Sequence, residues 1–220
     1  TDLIVGARSG SVQLLLYSAF RIGNATNNIR WDSFEQISSQ PQVKWAIPLS
    51  LGDSHRGFRV LGTNQAYFDH YRFGRDQALT LSQGKRFSDL YDAVLGADIA
   101  RELGYQLGTE LVLAHGAGAV SFVKHADKPF HVVGILAKTG TPVDRTIHIS
   151  LEGMEALHVD WQQGMPARGA GQVSAEQARQ LDLTPTAITA FMLGLERRID
   201  TFTLQRKINE FSGEPLLAIL

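Results

Sequence analysis

The strongest constraint on the fold lies at the C-terminal end of the sequence. There an apolar run, TAITAFMLGL (residues 186–195), is followed by the most regular amphipathic segment, RRIDTFTLQRKINEF, and then by a second apolar run, PLLAIL. In the amphipathic segment Leu204, Ile208 and Phe211 share one side, whereas charged residues such as Arg206 occupy the other. This order predicts a strand, a helix and a closing strand.

The N-terminal end has a similar alternation. TDLIVGARSGSVQLLLYSAF predicts strands at residues 3–5 and 12–20, and WDSFEQISSQP predicts a helix that ends before Pro41. VKWAIPLSLGDSHRGFRVLGT reads as extended structure interrupted by a turn at residues 52–55. Strand–helix–strand units are therefore expected at both ends of the chain.

The middle of the chain is richer in strands. DAVLGADIARELG predicts a strand followed by a helix with Gly104 just after its C-terminus. TELVLAH, AVSFVKH and PFHVVGILAK predict three further strands, TIHISL another strand and EGMEALHVDW a helix. Ser174 and Gln177 have the spacing of a capping box. The fold class is therefore α+β, with a β-rich middle at about residues 52–140.

Composition narrows the functional classes. The 220 residues suffice for one large domain or two small ones, and the net charge of −1 argues against a nucleic-acid-binding surface. The chain has no cysteine, so it forms neither disulfides nor thiolate metal sites. No apolar run approaches the roughly 20 residues that span a bilayer. Because the chain begins at Thr1 and stops at EPLLAIL, we expect a domain excised from a longer protein, and a processed mature chain is the alternative.

No residue pattern predicts a catalytic site. Ser54 lies in a Gly-Asp-Ser sequence that some serine hydrolases use, but none of the seven histidines follows an aspartate by three residues. The residues after Ser54 predict a strand, whereas a nucleophile elbow leads into a helix. We expect a turn at Ser54, and a hydrolase that uses this serine remains the alternative.

No cofactor or metal site is predicted either. His115, His125 and His131 fall on neighbouring predicted strands, yet they lack the short repeated spacing of metal ligands, and we expect isolated strand histidines. The GAGAV sequence (residues 116–120) connects two predicted strands, so it predicts a hairpin turn, since a phosphate-binding loop leads into a helix.

The segment KTGTPVDRTIHIS (residues 138–150) is dense in turn-forming residues. It lacks the Gly-Lys-Thr of a phosphate-binding loop, and Pro142 has no backbone N–H to offer a phosphate. It is therefore expected to join two strands, with Asp144 in an Asx-type turn or paired with a cation.

Taken in order, several segments resemble the extracytoplasmic domain of an ABC transporter permease of the MacB/FtsX-like class. They are TDLIVGARSG, PLSLGDSHRGFRVLGT, AVLGADIARELGYQLGTELVLAHG, FHVVGILAKTGTPVDRTIHISLEGMEALH and EPLLAIL. Each segment alone is moderately specific, but together and in this order they cover nearly the full chain.

The resemblance implies a split fold. A porter-like α/β subdomain would be built from residues 1–51 and 141–220, and a smaller β-rich mixed subdomain, residues 52–140, would be inserted into it. The loop with Thr139, Gly140, Pro142, Asp144 and Arg145 would then be a rigid structural junction where the chain re-enters the porter-like part. We expect both Asp144 and Arg145 to be hydrogen-bonded there.

The resemblance also implies a function without a catalytic residue, cofactor or metal. Such domains lie on the periplasmic side of the bacterial inner membrane, between the first and second transmembrane helices of the permease. The partners implied are a second permease protomer, a cytoplasmic ATPase, and a periplasmic adaptor or lipoprotein. ATP hydrolysis would be coupled to substrate export or to the handling of such a partner. A stand-alone periplasmic interaction module is the other alternative.

Overall fold

The structure is a computed structural model that describes residues 1–116, 124–162, 165–167 and 169–220. In this part of the chain the α-helices are α1 (Ser11–Ser18), α2 (Trp31–Ser38), α3 (Gln65–His70), α4 (Ala97–Leu103), α5 (Leu151–His158), α6 (Ala175–Ala178) and α7 (Thr201–Asn209). The strands are β1 (Leu3–Ala7), β2 (Ile29–Arg30), β3 (Val43–His55), β4 (Phe58–Thr63), β5 (Arg72–Phe73), β6 (Gln77–Ala78), β7 (Leu81–Gly84), β8 (Asp92–Leu95), β9 (Glu110–Leu111), β10 (Ala114–His115), β11 (Phe130–Leu136), β12 (Thr146–Ser150), β13 (Trp161–Gln162), β14 (Met165–Pro166), β15 (Ala187–Ile188), β16 (Ala190–Leu195) and β17 (Leu216–Ile219). The α+β class is confirmed.

The chain divides into two compact units. Unit 1 comprises Thr1–Leu51, Thr63–Leu79 and Thr186–Leu220, and unit 2 comprises Gly52–Gly62 and Thr80–Pro185. Unit 1 is thus built from both ends of the chain.

Unit 1 contains an antiparallel sheet in the order β17-β1-β16-β3. Helix α7 packs on β17 through two hydrogen bonds to Ala218. The Ala218 N–H donates to Asn209 Oδ1, and Gln205 Nε2 donates to the Ala218 carbonyl oxygen. Leu204 and Ile208 of α7 are buried, as the amphipathic pattern predicts. The C-terminal strand–helix–strand prediction is confirmed.

The predicted strand at residues 12–20 is wrong, because the segment forms helix α1. Leu14 and Tyr17, three residues apart, are buried, whereas Val12 and Leu15 are exposed. This is helical spacing, and a short apolar run of this kind fits a helix or a strand equally well until its packing is known.

Unit 2 contains strands in the order β4-β12-β8-β11-β7. Strand β8 is antiparallel to β12 and parallel to β11. Helix α4 follows the carboxyl end of β8. Gly104 ends α4 in the left-handed conformation (φ 67°), as predicted. The core of the unit includes Leu95, Ile99, Phe130, Ile147 and Leu157.

Three strand and turn predictions for unit 2 fare differently. The expected turn at residues 52–55 is wrong, since these residues are the last four of β3 and the chain turns at Arg56 and Gly57. TELVLAH forms two short strands, β9 and β10, where one was expected. The GAGAV turn and most of the AVSFVKH strand lie outside the described residues.

The compact units divide the chain differently from the predicted subdomains. The prediction assigned residues 1–51 and 141–220 to the porter-like subdomain and residues 52–140 to the inserted subdomain. Residues 63–79 belong to unit 1, and residues 141–185 belong to unit 2. The physical reason for the second difference is that β12 hydrogen-bonds to β8, which holds it within the sheet of unit 2.

We predict that Gly96→Ala destabilises the fold. An added Cβ at Gly96 would lie 2.2 Å from the Val143 carbonyl oxygen and 2.4 Å from that of Asp144, and both are backbone atoms. Overpacking of this kind lowers the free energy of unfolding by about 1–3 kcal/mol, measurable by urea denaturation. Gly52→Ala is the control, because no atom lies within 4 Å of its added Cβ. Equal stability of the two variants would contradict this account of the packing.

Candidate functional site

Three histidines and one aspartate converge within unit 2. Asp53 lies near the end of β3, directly opposite His115 of β10 in the antiparallel register. His125 is positioned by its backbone N–H, which donates to the Leu113 carbonyl at 2.8 Å. His158 is the last residue of α5. One ligand atom from each of the four side chains lies within 4.8 Å of the others, and we call this set the His–Asp cluster.

The cluster is centred on the carboxylate of Asp53. Its Oδ1 lies 3.3 Å from His158 Nε2 and 3.5 Å from His115 Nδ1, and its Oδ2 lies 3.3 Å from His125 Nε2. His115 Nδ1 and His158 Nε2 are 3.2 Å apart. The Trp161 ring covers the imidazoles, with centroid distances of 4.3 to 5.2 Å.

Burial differs across the cluster. The side chain of Asp53 is 0% exposed and that of His125 is 3% exposed, whereas that of His115 is 47% exposed. Neither carboxylate oxygen of Asp53 has a hydrogen-bond partner, and His125 Nε2 has none either, since their close contacts lack hydrogen-bond geometry. Solvent therefore reaches the cluster from the side of His115, while its inner face holds buried polar atoms without partners.

The electrostatics keep the carboxylate ionised. Burial raises the pKa of Asp53, but the interactions with His125 and His158 outweigh burial and hold this pKa at about 2. Burial lowers the pKa of His158, yet its contact with Asp53 leaves the pKa above its ordinary value. For His115, burial dominates and its pKa is lowered. The cluster thus contains a buried negative charge beside nitrogen donors.

The expectation of isolated strand histidines is wrong for His115 and His125, which the fold brings together with His158 and Asp53. His131, on β11, lies apart from the cluster, with Nε2 3.7 Å from Glu110 Oε2 on β9. No sequence pattern predicts the cluster, because its members lie far apart along the chain and show no short ligand spacing.

Ser54 does not have the surroundings of a nucleophile. It is 2% exposed and lies within β3, paired with Ala114, and not on a strand-to-helix elbow. The nearby His55 is engaged elsewhere, with Nδ1 2.9 Å from the Val112 carbonyl oxygen and Nε2 2.7 Å from the Tyr105 hydroxyl.

The loop between β11 and β12 is organised by the buried Asp144. Its Oδ1 accepts hydrogen bonds from the backbone N–H and the hydroxyl of Thr139, both at 2.8 Å, and its Oδ2 accepts one from the Gly140 N–H at 2.7 Å. Thr141 caps the 3-10 turn Pro142–Arg145 that follows. The prediction that Asp144 is hydrogen-bonded is confirmed.

Arg145 is also engaged, as predicted. Its Nη1 donates to Glu102 Oε1 at 2.7 Å, and its guanidinium lies 4.7 Å from the centroid of the Phe58 ring. The loop is not a junction between the two units, however. Residues 80–185 all belong to unit 2, so the chain does not cross between units at Thr139, Gly140, Pro142, Asp144 or Arg145.

The comparisons with known proteins identify the family. The family model for the MacB-like periplasmic core domain matches residues 3–190. The chain belongs to this family. MacB-like periplasmic core domains are extracytoplasmic parts of ABC transporter permeases, which confirms the resemblance seen in the sequence. No curated protein sequence shows significant similarity to the chain.

Two solved structures share the fold of this MacB-like domain. The periplasmic region of MacB from Actinobacillus actinomycetemcomitans is 11% identical, with a TM-score of 0.55 over 99% of this chain and 87% of that one. The extracellular domain of noncanonic ABC-type transporter YknZ from Gram-positive bacteria is 10% identical, with a TM-score of 0.52 over 99% of both chains. At such identities the likeness concerns the fold alone.

We predict that Asp144→Asn destabilises this MacB-like domain. An asparagine has one acceptor oxygen, so its NH2 group must face either the Thr139 donors or the Gly140 N–H, and a donor then faces a donor beside this buried side chain. The expected loss is about 1–3 kcal/mol in the free energy of unfolding, measured by urea denaturation.

Asp182→Asn is the matched control. Asp182 accepts hydrogen bonds from the Thr184 N–H and hydroxyl, but it is exposed and water replaces what the substitution removes. We expect a much smaller effect at Asp182. A loss at Asp144 no greater than that at Asp182 would show that the loop does not depend on its carboxylate.

Proposed function

We propose that the chain is the extracytoplasmic domain of an ABC transporter permease subunit, and that it couples cytoplasmic ATP hydrolysis to substrate export or to the handling of a lipoprotein or other partner. It does so as a mechanical and binding element without catalytic residues. The observation that carries the proposal is the match of the MacB-like periplasmic core domain over residues 3–190.

The pairing of the terminal strands supports a mechanical role. β1 and β17 are antiparallel neighbours, with Ile4 opposite Ile219 and Ala7 opposite Leu216. Antiparallel pairing brings the start of β1 and the end of β17 to the same end of the sheet. Spanning helices attached there would enter unit 1 side by side, so movement of either would be transmitted directly to this sheet.

The subdomain assignment follows from the same pairing. We assign the porter-like part to unit 1, which contains both ends of the chain, and the inserted β-rich part to unit 2. Within the described residues, no helix is long and apolar enough to cross a membrane. The proposal places the membrane anchors in flanking helices of the full permease.

The remaining partners are those of an assembled permease. We propose a second permease protomer, a cytoplasmic ATPase subunit and a periplasmic adaptor or lipoprotein. Catalysis by Ser54 gains no support, because this serine is buried within a strand. A stand-alone interaction module would share the fold but would respond to no nucleotide.

The test measures whether the domain moves with the ATPase cycle. The chain has no cysteine, so a single introduced cysteine gives a unique spin label within it. Glu152→Cys on α5 and Arg206→Cys on α7 label exposed positions in units 2 and 1. The labels are introduced into the full-length permease, from which any other cysteines have been removed, and the permease is assembled with its ATPase. Double electron–electron resonance then measures the distance between equivalent labels of two protomers.

We expect ATP to change the distance distribution at one or both positions. A variant ATPase that binds but does not hydrolyse ATP should hold one of the two states. The isolated chain, labelled in the same way, should give no response to nucleotide. Distances that stay the same throughout ATP turnover at both positions would refute the mechanical role.

A further inference from the structure

We propose that Asp53, His115, His125 and His158 form a binding site for a divalent transition-metal ion, with zinc as the ion that the site suits best. The proposal goes beyond the transport function and does not depend on it. It rests on the spacing of the donor atoms, on their burial and on how the fold orients them.

The spacing of the donors matches a tetrahedral metal site. Metal–ligand bonds of about 2.0–2.1 Å at tetrahedral angles place neighbouring donor atoms about 3.3–3.4 Å apart. In the structure, His115 Nδ1 and His158 Nε2 are 3.2 Å apart, Asp53 Oδ1 lies 3.3 Å from His158 Nε2 and 3.5 Å from His115 Nδ1, and Asp53 Oδ2 lies 3.3 Å from His125 Nε2. One donor atom from each of the four side chains lies within 4.8 Å of the others. Little rearrangement is needed to place one ion between the four side chains.

The buried atoms of the cluster lack the partners that a folded protein normally provides. Both oxygens of Asp53 and Nε2 of His125 are buried without a hydrogen bond. Leaving buried polar atoms unpaired is unfavourable, and the penalty is largest for an ionised group. A cation coordinated by one Asp53 oxygen and by His125 Nε2 would give both of these atoms a partner and would place a positive charge beside the second oxygen.

Contacts outside the cluster also orient two of its histidines. Nδ1 of His158 lies 3.1 Å from the Met154 carbonyl oxygen, to which it donates, and this leaves Nε2 with its lone pair facing the cluster. Such a second hydrogen bond fixes the tautomer and ring orientation of histidines that ligate metals. His115 is held opposite Asp53 by the pairing of β10 with β3.

The donor set selects the kind of ion. Three imidazole nitrogens and one carboxylate oxygen suit zinc and its neighbours cobalt, nickel and copper, whereas calcium and magnesium require mainly oxygen ligands. Four protein ligands complete a tetrahedral coordination shell, which is typical of a structural zinc site. We therefore infer that the ion cross-links unit 2 and performs no catalysis.

The rival explanation is a proton-linked cluster, in which a protonated imidazole balances the charge of Asp53 and no metal binds. The experiment distinguishes the two by direct binding. The 220-residue chain, treated with chelator and dialysed, is titrated with Zn²⁺ by calorimetry, and separately with Co²⁺, whose tetrahedral complexes absorb strongly in the visible range.

We expect one equivalent of Zn²⁺ to bind, Co²⁺ to give a tetrahedral spectrum, and excess Zn²⁺ to raise the melting temperature of the chain by about 5 °C or more at 100 times Kd. His115→Gln should weaken Zn²⁺ binding at least about 10-fold, because the loss of a residue that merely hydrogen-bonds to a metal ligand already weakens binding by that factor. His115 is half exposed, so this substitution leaves the core intact.

His131→Gln is the matched control, because His131 is an exposed strand histidine beside a carboxylate but outside the cluster. It should bind Zn²⁺ as the unchanged chain does. X-ray absorption of the unchanged chain with zinc, which needs no variant, should show three imidazoles and one oxygen ligand. Failure to bind one equivalent, an equal loss in His131→Gln, or a six-oxygen environment would each overturn the proposal.

Discussion

Strand β8 is the element on which unit 2 depends, because it is hydrogen-bonded on both sides and all four of its residues are buried. On one side, β12 runs directly into α5, whose last residue is His158. On the other side, β11 follows the turn in which the Lys128 N–H donates to the His125 carbonyl. The pairing of one central strand thus helps to determine where two of the four cluster residues lie.

The treatment of buried charge differs between two places in unit 2. The side chain of Lys128 is 1% exposed, and its Nζ lies 2.8 Å from Asp127 Oδ2 and 3.5 Å from Asp160 Oδ2. Its charge is therefore compensated by carboxylates, one of which also accepts a hydrogen bond from the Val173 N–H. The carboxylate of Asp53 lies near imidazole rings, but neither of its oxygens accepts a hydrogen bond. This difference separates an ordinary buried ion pair from a candidate ligand site.

Local patterns predicted the elements whose periodicity is strong and failed where it was not. Helix α7 and the Gly104 terminus of α4 followed from spacing and backbone preference, and so did the capping box at Ser174. The apolar run of α1 has no period that distinguishes helix from strand, and only packing decides it. The His–Asp cluster could not be predicted, because its members are far apart in the sequence. Asp53 and His115 meet through the pairing of β3 with β10, and a single sequence does not show which strands pair.

The absence of cysteine gives the proposed metal site its structural significance. A chain without thiols cannot cross-link itself by disulfides, so an ion held by side chains is a remaining way to tie distant segments together. An ion bound by Asp53, His115 and His158 would tie together segments that lie tens of residues apart. Because only the folded chain brings these ligands together, the ion would stabilise the fold by binding it in preference to the unfolded chain, by about 2.7 kcal/mol at an ion concentration of 100 times Kd. The same cross-link would stiffen unit 2. A domain that transmits movement benefits from stiffness, because displacement that bends the domain is not passed on to its partner.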